Sequence, residues 1–387
     1  MEMKTVHIRD LGDIITGSTP TKKNPDNYGD FALWIKPTDM DENNKYTRET
    51  EEMFSERSAE ACRSRLIPKD SILVPCIGTV GTKLTMSPID CFTNQSVNAI
   101  VPNENYDNHY IYYLIRNFLP ALKGFNKGTA SGREFIAKSA FENIEINVHT
   151  DLAIQQKIGK LLSAYDDLID NCRKQIALLE EAAQRLYCEW FVDFRFPGHE
   201  STTCNEDGLP KSWNIVQLVS IYDIKYGKAL SSKCLIDDGL YPVYGATKQI
   251  GRYNKYNCDD YRVLITSRGD AGFIHQTFYK KSFVTCNSFI VCPKKEFDYI
   301  HRCYIYYSLL ALNLKGIVNG AAQQQLTNAM LDNVLIVMPS PSVLHQFSML
   351  IEPYSELIIQ NIRQIELLTE ARDRLLPKLM SGEINVE

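Results

Sequence analysis

The chain carries the same order of sequence patterns twice. Gln175-Ile176-Ala177-Leu178-Leu179-Glu180-Glu181-Ala182 returns as Gln364-Ile365-Glu366-Leu367-Leu368-Thr369-Glu370-Ala371, displaced by 189 positions. Phe141-Glu142-Asn143-Ile144-Glu145-Ile146 returns as Leu331-Asp332-Asn333-Val334-Leu335-Ile336, displaced by 190. Tyr110-Ile111-Tyr112-Tyr113 is matched by Tyr304-Ile305-Tyr306-Tyr307, and Gly78-x-x-Gly81 by Gly269-x-x-Gly272. A period this long exceeds the roughly 20–50 residues of a solenoid repeat. It predicts two similar domains in one chain, a pseudo-dimer suited to a two-part target.

At 387 residues there is room for two domains, each with its own core. A hydrophobic content of 44% with 23% charged residues describes a soluble globular protein. No apolar run approaches the ~20 residues that span a bilayer. Met1-Glu2-Met3-Lys4 opens no apolar leader segment, and the eleven cysteines form no C-x-x-C pair. Scattered thiols without a secretion signal predict a cytoplasmic protein with no closed zinc site.

The net charge of -5 argues at first against a nucleic-acid partner, but it is unevenly spread. Residues 201–340 hold 15 basic and 11 acidic side chains, a net of +4. Segments 1–150, 151–200 and 341–387 are each -3. Contact with phosphates would therefore need locally basic loops, or a basic partner that shares the work.

Each half reads as a β-rich stretch followed by a long helix. Strands are predicted at 31–35, 71–74, 97–101 and 144–148, with short helices near 110–118 and 302–312. Apolar residues then recur at steps of three and four. In the first half the line runs through Ile154, Ile158, Leu161, Tyr165, Leu168, Cys172, Ile176, Leu179, Ala183, Leu186 and Trp190. In the second it runs through Phe347, Ile351, Tyr354, Ile358, Ile362, Ile365, Leu368, Leu375 and Leu379. These are heptad-like seams, the first with a stutter at Cys172–Ile176. Pro197-Gly198 and Gly382 should end the two helices, and Pro353 should kink or restart the second. Alone, each seam fits a dimerisation coiled coil; in a duplicated chain an intramolecular antiparallel pair is simpler. The expected fold is α+β: two β-rich domains at 1–150 and 199–340, and two long-helix segments at 151–198 and 341–387.

The familiar catalytic signatures are missing. No G-x-x-x-x-G-K-[ST] loop offers an ATP site, and no G-x-G-x-x-G follows a strand. Asn24-Pro25-Asp26-Asn27-Tyr28 lacks the second proline of an amino-methyltransferase motif and reads as a turn. Asp223-Ile224-Lys225 fits only the tail of a nuclease site, and the seven histidines form no ligand grouping.

Two pairs of loops stand out instead. The G-x-x-G turns carry Thr79, Thr82 and Lys83 in one copy, and Arg268 and Asp270 in the other. The plain reading is a tight turn; RNA-binding KH domains use the same spacing to clamp backbone. Asn126–Arg133 and Lys315–Gln325 form the second pair, differing in chemistry within a matched frame. Small residues allow close approach, while Arg, Gln and Asn carry the groups that read base edges. The candidate DNA-contacting residues are Thr79, Lys83, Lys127, Ser131 and Arg133 in the first half. In the second they are Lys248, Arg268, Gln323, Gln324 and Gln325. The candidate partner-contacting residues are Glu180, Glu181, Trp190, Phe191 and Glu370.

Together these features resemble the specificity subunit of type I restriction–modification systems, over the whole chain. Trp190-Phe191-Val192-Asp193-Phe194 looks like that family's Trp-Phe-x-x-Phe helix exit. Ile154-Gln155-Gln156 and Leu344-His345-Gln346 look like its helix starts, and Gly320-Ala321-Ala322-Gln323 like its Gly-x-Ala-Gln loop. The first copy departs with Ala130-Ser131-Gly132-Arg133, and Pro377-Lys378-Leu379-Met380 stands where the second copy would have its Trp-Phe exit. The resemblance implies a non-catalytic reader of double-stranded DNA with no cofactor of its own. It would serve two methyltransferase subunits using S-adenosylmethionine and two motor–nuclease subunits using ATP and Mg. Three alternatives remain open: a methylation-only specificity subunit, a G-x-x-G RNA-binding protein, and a coiled-coil adaptor.

Overall fold

The computed structural model describes residues 2–21, 23–126, 134–206, 208–318 and 325–386. The chain forms two compact units, Met1–Cys172 with Gln364–Glu387, and Arg173–Arg363. Both boundaries fall inside the long helices, so each unit contains part of each helix.

In the first unit, Gly12–Thr16, Val97–Pro102, Ile72–Pro75 and Thr85–Met86 form an antiparallel sheet in that order. Its central strand Ile72–Pro75 is buried along its whole length, which fits its unbroken apolar run. A second sheet joins Ala32–Ile35 in parallel to Phe92–Thr93, with Trp34 beside Phe92. Met3–His7 pairs with Glu145–His149. The helix Asn108–Leu122 starts where the Asp107 carboxylate accepts from Tyr110 N, an ordinary N-cap. It presents Tyr110, Ile111, Tyr112 and Tyr113, all fully buried, to the core.

The second unit repeats this plan. Tyr222–Tyr226, Ser288–Pro293, Val263–Thr266 and Ile274–Gln276 form the antiparallel sheet, and Tyr241–Tyr244 runs parallel to Phe283–Val284. Even the register agrees: Val263 faces Val291 as Ile72 faces Ile100. The short helix is Arg302–Leu310, and Asn214–Gln217 pairs with Leu335–Met338.

The long helices are Leu152–Tyr187 and Pro341–Met380, about 54 and 60 Å at ~1.5 Å per residue. Within the first unit, Ile158 and Leu162 share a core with Leu376 and Leu379. One turn later in the first helix, Asp166 pairs with Arg372, one turn earlier in the second. That is the order of antiparallel helices.

Three expectations are corrected. Leu161 and Leu168 are exposed, and the buried line runs instead through Ile158, Leu162, Asp166, Ile169 and Cys172. The second helix neither stops nor restarts at Pro353; Ile351 and Ile358 are buried on either side, so packing holds the turn that lost its hydrogen bond. The first helix ends before Pro197-Gly198. It passes into a π-helical turn at Cys188–Val192, followed by Phe194 in the left-handed region.

That turn drives Trp190 and Phe191 into the core, each 5% exposed, against Phe347; Phe191 also meets Trp213. They stabilise the second unit and are not available to a partner surface, which corrects their expected role.

Burial makes the second unit acid-sensitive. His275, bonded to Ser288 Oγ, and His301, the cap of the short helix, are both pushed down to about 4 by desolvation. An unfolded histidine titrates near 6.5. The unfolded chain therefore binds more protons between pH 6.5 and 4, and stability falls as pH falls through that window. Denaturant titrations at pH 7 and 5 should show a loss on the order of 2 kcal/mol for each of these histidines. His275→Gln should reduce that loss.

Candidate nucleic-acid interface

In each unit the G-x-x-G turn lies next to the described flank of its paired loop, although about fifty residues separate them in sequence. In the first unit Gly78 N donates to Glu134 O, Val80 N to the Glu134 carboxylate, and Ile77 bridges to Phe135. In the second unit Arg268 bridges to Gln325, and Leu326 N donates to Ser267 O. Lys315 forms an ion pair with Asp270 at 2.7 Å. Each G-x-x-G turn is thus fastened to the start or end of the second loop.

The second glycine of each pair has a structural cause. Gly81 and Gly272 have φ of 67° and 86°, left-handed values that favour glycine. A Cβ on Gly81 would lie 2.6 Å from Leu119 O, and one on Gly272 2.8 Å from Lys315 N. Gly81 is pressed against the end of the helix Asn108–Leu122 and Gly272 against the start of the second loop, and neither leaves room for a side chain. The tight-turn reading therefore accounts for these glycines on its own.

Of the candidate residues, Lys127, Ser131, Arg133, Gln323 and Gln324 lie outside the described residues. Lys248 and Arg268 are both exposed, on two turns that touch at Ala246. The turn 245–248 receives a hydrogen bond from Thr266 Oγ1 on Ala246 O, and Ala246 sits 3.6 Å from a Cβ built on Gly269. Gln325 is half-buried at the Arg268 bridge. Thr79 Oγ1 is buried without a hydrogen-bond partner among the described residues. Lys83 is less accessible than expected: its ammonium donates to Pro37 O at 2.9 Å, so one donor is held inside the domain.

Neighbours not singled out from the sequence join this edge. Asn287 is exposed, and its carbonyl accepts from Ser267 N at 2.8 Å. Lys228 is exposed, and its carbonyl accepts from Cys286 N. In the first unit Gln95 is exposed and its side chain bonds Thr19 Oγ1. The polar turns Thr93-Asn94-Gln95-Ser96 and Thr285-Cys286-Asn287-Ser288 follow corresponding strands, a signal the repeat could have supplied. The resulting edge of the second unit gathers Lys228, Lys248 and Arg268 with amide side chains, a composition able to meet phosphates and base edges.

The candidate partner residues on the helices differ among themselves. Glu181 and Glu370 are exposed, and each pairs one turn along its own helix, with Arg185 and Arg374. Glu180 is half-buried, which pushes its carboxyl up, and its carbonyl accepts from Tyr307 OH.

Among the described residues no group of His, Cys, Asp and Glu could hold a metal ion, and no helix is long and apolar enough to cross a membrane. The model of the type I restriction modification DNA specificity domain matches this chain twice, at residues 1–181 and 210–367. The MjaIX specificity subunit of Methanocaldococcus jannaschii is 28% identical over 98% of this chain and 93% of its own. The HindI specificity subunit of Haemophilus influenzae is 32% identical over 46% of this chain and 38% of its own. The crystal structure of the S subunit of a type I restriction-modification system from M. genitalium shares the fold. Its TM-score is 0.62 at 17% identity, covering 98% of this chain and 96% of that one. Two family matches, falling one on each half of the duplicated fold, show that the chain belongs to the type I restriction–modification DNA specificity family.

Proposed function

We propose that this chain reads a bipartite double-stranded DNA target, one half-site per domain, without catalysing a reaction itself. The observation that carries this is the pair of convergent loop edges, alike in frame and unlike in chemistry. A frame held by backbone contacts lets side chains vary without disturbing the fold, as two different half-sites require. The mixed overall charge suits a reader that shares phosphate contact with basic partners. Those partners are two methyltransferase subunits, which bring S-adenosylmethionine, and two motor–nuclease subunits, which bring ATP and Mg. In this reading Glu181 and Glu370, exposed on the helices, face protein, since acidic helix faces repel phosphate. Selection of bound duplexes from a random pool, with the methyltransferase subunit present, should return two short specified blocks separated by an unspecified gap. A single continuous block, or preferential recovery of RNA, would overturn this reading.

The helices set the gap in this proposal. Readers on one face of DNA sit about one helical turn apart, roughly 10 base pairs. Four residues inserted near Cys172 add at most about 6 Å of helix. At ~3.4 Å per base pair that is one to two steps. The selected gap should lengthen by one or two base pairs with both blocks unchanged; an altered block would remove the helices from this role.

A further inference from the structure

The two units differ in one place where the repeat predicts likeness. In the first unit, the seventeen residues 36–52 that connect Ala32–Ile35 to Met53–Phe54 send residues 45–48 along the first long helix. Lys45 is buried, donates to Ser163 Oγ at 2.7 Å and lies 3.0 Å from His109 Nδ1. Its carbonyl accepts from Met86 N, Tyr46 bridges to Met86 in parallel, and Arg48 pairs with Asp170 at 3.1 Å. The segment thus extends the sheet edge and fills the space between sheet and helix.

In the second unit the equivalent connection is the four residues 245–248, which cannot reach that far. By the displacement of 189, Ser163 and Asp167 correspond to Glu352 and Glu356, and these line an open cleft of about 750 Å³. Only the buried cation is replaced. Arg302 stacks 4.8 Å from the Tyr261 ring, donates to Gln276 Oε1 at 3.1 Å and bonds Ser355 Oγ.

We propose that this cleft docks an extended segment of a partner polypeptide, with a basic side chain facing Glu352 and Glu356. The charge of the walls selects that occupant. Four acidic and four basic side chains line the cleft. Phosphates of a nucleic acid would meet the carboxylates, and an apolar ligand would strip water from every charge. A peptide backbone with mixed side chains satisfies both signs. The first unit's own filling segment, Lys45-Tyr46-Thr47-Arg48, has this basic and aromatic character. Glu352 and Glu356 stand one turn apart, exposed, and neither forms an ion pair among the described residues. The volume lies within the range of roughly 300–1,000 Å³ typical of ligand sites.

The probe is a fluorescein-labelled peptide with the sequence of residues 43–50, titrated against the full chain by fluorescence anisotropy. Saturable binding is expected, at least tenfold weaker for the double variant Glu352→Lys, Glu356→Lys. Ser348→Trp, which fills the cleft from the helix side, should weaken it similarly, with melting curves confirming that both variants are folded. Absence of saturable binding, or binding unchanged within twofold in both variants, overturns the proposal. So does equal binding of a peptide carrying Glu at the Lys45 and Arg48 positions, or displacement of the probe by duplex DNA.

Discussion

Arg372→Ala is expected to destabilise the first unit by about 3–5 kcal/mol, the usual cost of stranding one member of a buried ion pair. Arg372 is 2% exposed, and its guanidinium meets the Asp166 carboxylate, which also accepts from Tyr113 OH. Without the arginine, a buried carboxylate keeps one hydroxyl donor and loses its charge partner. The double replacement Asp166→Leu, Arg372→Met should be far milder, because apolar residues of similar size need no partner. Its recovery should stop short of full. Lys45, whose ammonium is pulled down to about 8 mainly by burial, is favoured by the charge of Asp166 and would lose that support. Two units need not melt together, so a single transition is a poor readout. Hydrogen exchange within residues 152–172 reports the local effect. A loss below about 1 kcal/mol for Arg372→Ala would show that this pair does not hold the helices together.

The same pair explains where sequence reading of the helices slipped. The buried line passes through Ser163 and Asp166, and polar side chains break an apolar trace. Following leucines by periodicity alone led to Leu161 and Leu168, which lie one position off on the solvent side. Lys45 was invisible for a related reason: lysine is almost never buried unless paired, so it reads as surface. The acidic run at Glu51 and Glu52 is less repulsive than its composition suggests, since Lys36 reaches both carboxylates at 3.1 and 2.7 Å.

What was legible was whatever repeats locally. The strands Ile72–Pro75 and Val97–Pro102 and the helix Arg302–Leu310 fall within a few residues of where β-branched runs and the Tyr-Ile-Tyr-Tyr pattern placed them. The convergence of each G-x-x-G turn on its second loop was not legible, because no local pattern encodes a contact between Ser267 and Leu326. Trp190 ends the apolar line through Ala183 and Leu186, but periodicity does not say whether that line meets this chain's core or a partner, and Phe191 lies off the line altogether. The π-helical turn decides that, and it turns both rings inward.

The central claim is that each domain reads its own half of the target. Arg268, Gln323 and Gln324 belong to the second domain's paired loops, and Arg268 is exposed where its turn bridges to Gln325. Each lost bidentate base contact should remove about 1–3 kcal/mol of discrimination. Since 1.4 kcal/mol is a factor of ten, two such losses relax discrimination by about thirty- to twenty-thousand-fold. The measurement is the binding preference of the triple alanine variant over a pool randomised at both half-sites, assembled with the methyltransferase subunit and compared with the parent chain. The account predicts that preference collapses in one contiguous block while the other block and the gap are unchanged. Equal weakening of both blocks, or two blocks identical to the parent's, would contradict it.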